Sequence, residues 1–205
     1  MEPTFKPDTK EDEAKTGWKS IASSVAILAL APIIAIFLTL FVFQSYEVFG
    51  TSMESTLKNG DRLIVQKLSK NWARLWGNEY IPQRYEIIVF ERPKFVSNAS
   101  NDVSHLIKRV IALPGERIVV SDGTVTVFND EFPDGFNPDE GMEYAKDILT
   151  TSGNVDITVG AGEVFVMGDN RGNSQDSRRF GAIADNLITG AAKFRFLPIG
   201  DAQSL

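Results

Sequence analysis

The chain has 205 residues, a formal net charge of −6 at pH 7, one histidine and no cysteine. That length fits one domain, or one domain plus an anchor, and 43% hydrophobic residues supply material for a sizeable core. The acidic balance speaks against nucleic acid as a general partner, the missing cysteines exclude disulfides and thiol nucleophiles, and a lone histidine speaks against a His-based metal site.

Residues 1–20 read as a short tail, polar and mixed in charge over 1–17. Residues 21–43 then carry no charge at all. At ~1.5 Å per residue such a stretch reaches about 34 Å, enough to cross a ~30 Å hydrocarbon core. A buried helix of a globular domain would show a polar stripe, and this stretch shows none. Its exit, Phe43-Gln44-Ser45-Tyr46, lacks the small-residue pair of a cleaved leader. The reading is an uncleaved transmembrane anchor over 21–43. Lys6, Lys10, Lys15 and Lys19 precede it, and only Lys58 lies within 15 residues after it. Positive charge stays inside, so the N-terminus is expected in the cytoplasm and residues 44–205 outside it.

Beyond the anchor the pattern is mainly β. Short apolar runs at 62–67, 86–90, 103–113, 118–120, 124–128, 155–159, 163–167 and 192–197 alternate with Gly and Pro turns. Asp122-Gly123 between two of them is a hairpin signal. An antiparallel β ectodomain is expected, with no internal repeat. Residues 129–147 hold seven acids and one lysine and read as a solvated loop, with substrate contact or packing at one edge as the alternative. Trp72 and Trp76 fit either a membrane surface or core packing.

Two segments suggest chemistry. Ser52 follows Gly50-Thr51 shortly after the apolar stretch, where a glycine lets another backbone approach closely. Lys108 alternates with Leu106, Val110 and Ala112 on one strand face, and apolar company lowers a lysine pKa towards that of a usable base. Arg109 shares the other face with Ile107 and Ile111, so alternation alone does not single out Lys108. His105 is the competing base, and three residues from Lys108 it points to the opposite face of a regular strand. Residues 168–178, GDNRGNSQDSR, are densely polar. Their arginines argue against a cation site, and Asp169 and Asp176 are expected to pair with Arg109, Arg171 or Arg178.

Four segments in order resemble the boxes of bacterial type I signal peptidases: GTSMESTL at 50–57, GDRL at 60–63, KRVIALPGE at 108–116, and 168–178. With the anchor just upstream, the likeness runs to about residue 198 and is greatest to single-span Gram-positive, cyanobacterial or plastid members. The resemblance implies an antiparallel β ectodomain around a Ser-Lys dyad, in a cell or thylakoid membrane. Ser52 would be the nucleophile and Lys108 the general base. Ser174 would hydrogen-bond and orient the lysine, while Arg109, Asp169, Asp176 and Arg178 brace the site. The Ser52 backbone N–H would donate to the oxyanion. Some members place a serine donor two residues earlier, where this chain has Gly50.

The resemblance further implies a serine endopeptidase that forms an acyl-enzyme and needs no cofactor or metal. Substrates would be exported preproteins with small residues at −1 and −3. Val48, Phe49, Leu57, Leu106 and Ile107 are the candidate pocket residues, the lipid bilayer is a partner, and the translocation machinery is a plausible one. Two other classes compete. A membrane-anchored scaffold that binds exported chains without cutting them would be expected to lack Ser52 or Lys108. A repressor-type Ser-Lys autoprotease would be soluble and carry a DNA-binding domain.

Overall fold

The computed structural model describes residues 24–36, 42–93 and 105–205. The chain divides into two units, Met1–Phe41 and Val42–Leu205. In the first, helix α1 covers 24–36 and runs through Pro32 with every side chain exposed. Among the described residues no helix is long and apolar enough to cross a membrane. The expected span lies outside the described residues at 21–23 and 37–41. Its expected end is corrected, because Val42 is buried and Phe43 opens strand β1 (Phe43–Glu47). Apolar composition continues across that change of structure, so no polar boundary marks it.

The second unit is built on two antiparallel sheets. The larger runs β1, β2 (Arg62–Gln66), β10 (Ile188–Leu197), β3 (Ile87–Glu91), β4 (His105–Ala112), β8 (Glu163–Met167) and β9 (Ile183–Ala184), with β11 (Gln203–Ser204) on β10. The smaller is β6 (Thr124–Phe128), β5 (Arg117–Ser121) and β7 (Val155–Thr158). Asp122 and Gly123, both at positive φ, close the β5–β6 hairpin as a two-residue turn requires. Among the described residues the unit also carries two short α-helices, α2 (Leu68–Leu75) and α3 (Ser177–Phe180).

Alternation holds on β2, β5 and β6, where every second residue is buried. It fails on β4, whose last five residues are all buried, because the sheet there is covered on both faces. Ile111 and Ala112 pack with Phe165 and Met167 under the small sheet. Val110 joins Ile88, Phe90, Val164 and Ile183 on another cluster. Met53, Leu57, Leu63 and Val65 fill a third beside β1. Each fully buried Leu, Ile or Phe contributes about 1.5–3 kcal/mol of transfer free energy.

One irregularity positions the site. β4 pairs with β3 along Ile107, Lys108 and Arg109, but meets β8 only from Arg109 onwards. The main chain of 105–108 therefore has a partner strand on one side, and on the other it borders a cleft whose far wall is the end of β1 and the loop after it.

Candidate active site

The loop after β1 carries Ser52. Gly50 turns it at φ 89°, a backbone conformation that costs glycine nothing, and its N–H donates to Asn59 Oδ1 at 2.8 Å. The loop is pinned below by buried Asp61, which accepts from Lys58 N and from Arg195 Nη1 at 3.0 Å. Arg195 Nη1 also donates to Thr56 O. From above, Asn170 N donates to Ser52 O at 3.1 Å, and Asn173 Nδ2 donates to Thr51 Oγ1 at 2.9 Å.

Lys108 reaches the serine from β4. Its Nζ lies 2.7 Å from Ser52 Oγ and donates also to Ile107 O at 2.7 Å. The side chain is buried, with 3% of the residue exposed. Burial pulls its pKa down from the ordinary 10.5 to about 8, with Asp176 and Asp169 opposing and Arg92 assisting. The two candidates thus meet at hydrogen-bond distance, which strand alternation alone did not settle. His105 instead lies against Tyr46, ring centroids 5.3 Å apart.

The bracing residues also come together, in two pairs. Arg109 grips Asp169 with two parallel bonds, Nε to Oδ1 at 2.9 Å and Nη2 to Oδ2 at 2.7 Å. Thr56 Oγ1 donates to the same carboxylate at 2.6 Å. Arg178 grips Asp176 through Nε and Nη2, both at 2.8 Å, and Gly168 N donates to Asp176 Oδ2 at 3.0 Å. Burial raises the Asp176 carboxyl, but the Arg178 guanidinium, the Gly168 N–H and the nearby Ser174 hydroxyl outweigh it and hold it below the usual carboxylate range.

Two residues are placed differently from expectation. Ser174 shares the cleft with Ser52 and Lys108, yet its buried Oγ has no hydrogen-bond partner of ordinary geometry among the described residues. Among the described residues Ser174 Oγ makes no hydrogen bond to Lys108 Nζ, which donates to Ser52 and Ile107. Leu57 lines no substrate cleft. It is fully buried among Met53, Leu63, Val65 and Ile87, because the turn bonded from Leu57 N to Met53 O directs it into the core. Val48, Phe49, Leu106 and Ile107 do line the cleft beside the dyad, with Ser45, Tyr46 and Met53.

Other residues were not found by sequence reasoning. Arg92 borders the dyad cleft with a buried Nε that has no hydrogen-bond partner among the described residues. Gly168 is packed so closely that a Cβ there would collide with the Ser174 side chain and with Ser52 O. Arg171 pairs with neither Asp169 nor Asp176. It donates to both carboxylate oxygens of Asp139, inside the stretch read as a solvated loop. Tyr144 of that stretch donates to Asp139 Oδ1 at 2.7 Å, and the Arg109 guanidinium stands 4.1 Å from its ring centre. The edge-packing alternative is therefore the one realised for Asp139 and Tyr144. Only the Gly-rich spacing of 168–172 hinted at any of these, since their partners are distant in sequence.

Residues 21–197 match the family model described as "Signal peptidase, peptidase S26". The chain is similar to Probable signal peptidase I-1 of Synechocystis sp. (37% identical over 182 residues, 88% of this chain and 85% of the relative). It is also similar to Signal peptidase I T of Bacillus subtilis (31% over 178 residues, 86% and 85%). Signal peptidase I of Bacillus amyloliquefaciens is 31% identical over 205 residues, 99% of this chain and 96% of that relative.

Proposed function

The chain belongs to the signal peptidase family, peptidase S26, and is a serine endopeptidase; from that premise we propose that it removes N-terminal signal peptides from exported preproteins with a Ser52–Lys108 dyad. The observation that carries this reading is the 2.7 Å approach of Lys108 Nζ to Ser52 Oγ inside a buried site. A lysine with a pKa near 8 is partly neutral at physiological pH and can accept a proton. Neutral Lys108 takes the Ser52 proton as Oγ attacks the scissile carbonyl carbon. The tetrahedral intermediate collapses when the leaving amine receives that proton, leaving an acyl-enzyme on Oγ. Lys108 then takes a proton from a water as that water attacks the acyl carbon; the Ser52 oxygen leaves with the proton returned by Lys108, and the signal peptide departs with a new C-terminal carboxylate.

The Ser52 N–H serves the developing oxyanion. Arg109–Asp169 and Arg178–Asp176 hold the framework around the dyad, and Ser174 offers a hydroxyl within the cleft. An extended substrate lies along the main chain of 105–108, where β4 has no second partner strand among the described residues, and so adds one strand to the sheet. The cleft beside the dyad is small, about 270 Å³, which suits short side chains at −1 and −3 better than bulky ones. Val48, Phe49, Leu106 and Ile107 supply its apolar walls. Residues 21–43 contain no charge, which supports a membrane anchor with the catalytic unit on the extracytoplasmic side. The translocation machinery is the natural supplier of substrate at that surface.

The test is cleavage of a purified preprotein by detergent-solubilised wild type, Ser52→Ala and Lys108→Ala. Processing at the signal-peptide junction by wild type alone supports the dyad. Activity retained in Lys108→Ala moves the base elsewhere, first to His105. No cleavage by folded wild type overturns the substrate assignment.

A further inference from the structure

The cleft at the dyad has two halves. In the reading given above, the half lined by Val48, Phe49 and Ile107 takes the acyl side of the substrate, up to the carbonyl that Ser52 attacks. It shares Phe49, Ser52, Leu106 and Lys108 with a second hollow of about 410 Å³, which opens beyond the serine between Gly50-Thr51 and residues 172–175. An extended chain whose scissile carbonyl sits at Ser52 Oγ enters one half and leaves by the other. The second hollow therefore receives the residues after the scissile bond, which become the start of the mature protein.

The walls of this second hollow have a chemistry of their own. Besides Lys108 they carry two cations, Arg92 and Arg179, and no acid. Around the site Arg109, Arg171, Arg178 and Arg195 each grip a carboxylate. Arg92 and Arg179 have no ion-pair partner among the described residues. On α3 the two neighbours part: Arg178 turns inward to Asp176, whereas Arg179 is exposed and lines the hollow. Arg92 Nε and Ser174 Oγ are the buried side-chain polar atoms that find no hydrogen-bond partner among the described residues, and both residues line this same hollow. An unpaired buried donor is costly to hold, so one that faces a substrate channel is a donor kept for the ligand. The Arg92 charge is felt at Lys108, where it helps to lower the lysine pKa, so a substrate that reaches the dyad also comes within reach of Arg92.

We propose that Arg92 and Arg179 select substrates by charge on the mature side, favouring Asp or Glu within the first three residues after the scissile bond and disfavouring Lys or Arg there. The proposal rests on the peptidase reading given above. A guanidinium meets a carboxylate with paired N–H donors, and a hollow lined by cations without acids focuses the field that attracts it. A substrate lysine in the same place meets like charge and finds no acid to pair with. Selectivity is a difference between two substrates, and here attraction and repulsion act in the same direction. It also runs against the net charge of −6, which at long range favours a basic substrate. A preference for acid is thus a local property of this hollow.

The experiment uses the full chain in detergent and a signal-peptide-junction peptide with Ala at −3 and −1, carrying Ala, Asp or Lys in turn at +1, +2 and +3. kcat/KM is measured at about pH 9.5, above the Lys108 pKa of about 8 and below that of a substrate lysine. The Asp-to-Lys ratio is read within each enzyme, so a general loss of activity in a variant does not enter it. Wild type is expected to prefer Asp to Lys by about fivefold or more at one of these positions, and the ratio is expected to fall as salt is raised. Arg179→Glu should invert the ratio at that position, and Arg92→Gln should reduce it. Equal cleavage of the Asp and Lys peptides by wild type overturns this proposal alone. So does a preference for Lys, the order that the net charge alone would give. An Asp preference that both variants leave intact also overturns it, because its source then lies elsewhere. No cleavage of the Ala peptide by folded wild type overturns the peptidase reading together with this one.

Discussion

The guanidinium of Arg109 stacks over the ring of Tyr144, 4.1 Å from its centre, while its edge holds Asp169. The acidic stretch 129–147 thus reaches the back of the active site. Tyr144 also donates to Asp139, and Asp139 takes both arms of buried Arg171. Asp139→Asn should leave Arg171 as a buried, poorly paired cation. The expected loss is about 3–5 kcal/mol of stability, read as a lowered Tm. Tyr144→Phe keeps the ring under Arg109 and loses one hydrogen bond, so it should cost only about 1 kcal/mol.

Activity should report the protonation of Lys108. With a pKa near 8, kcat/KM is expected to rise about tenfold per pH unit below that value and to level off above it. Arg92 assists in holding the lysine pKa down. Arg92→Gln removes a neighbouring positive charge, so Lys108 keeps its proton to higher pH and the acidic limb moves up. A pH profile of peptide cleavage checks both. An unchanged limb would exclude an electrostatic role for Arg92.

The same shift sets a stability trend. The unfolded chain binds a proton at Lys108 up to about 10.5, and the folded chain releases it near 8. Between those values the unfolded state holds more protons, so folding stability rises with pH across that window. Below pH 8 the buried ammonium carries its whole desolvation penalty, roughly 3 kcal/mol at ~1.4 kcal/mol per pKa unit. Lys108→Met should therefore be inactive, more stable than wild type at pH 7, and without the rise that Lys108 contributes from pH 8 to 10.5. Denaturant unfolding across that range measures it.

What the sequence disclosed depended on how local each signal is. The Asp122-Gly123 hairpin and β8 at Glu163–Met167 were legible because turn chemistry and short apolar runs act over a few residues. The start of β1 was hidden because Phe43 continues the apolar stretch before it, and the rest of the strand, QSYE, carries no apolar run. α2 has no side-chain cap and follows β2 directly, so nothing announces it. Ser52 and Lys108 stood out through motif likeness, but their contact depends on folding the chain across a separation of 56 positions. Asp139 and Arg171, 32 residues apart, carried no local mark of their pairing. Leu57 looked like a pocket residue because it neighbours the serine in sequence, whereas the turn after Met53 directs it inward.

Gly168 offers the sharpest test of how the site is held. Its Cα faces Ser52 O and the Ser174 side chain with no space for a methyl group. In Gly168→Ala the serine side chain can rotate, but the Ser52 carbonyl is main chain and already accepts from Asn170 N. The added methyl must therefore push the Ser52 loop away from β4, lengthening the 2.7 Å contact to Lys108 Nζ. Overpacking of this kind costs about 1–3 kcal/mol, which a folded domain tolerates. A displacement of about 1 Å in a catalytic contact can cost on the order of 10²-fold in rate. The expected variant is folded by circular dichroism, with kcat reduced by about that factor. Adding Ser174→Gly removes one collision and leaves the other, so activity should not return. Near wild-type kcat in Gly168→Ala would mean that the Ser52 loop yields without moving Oγ, and that the close approach has no part in aligning the dyad.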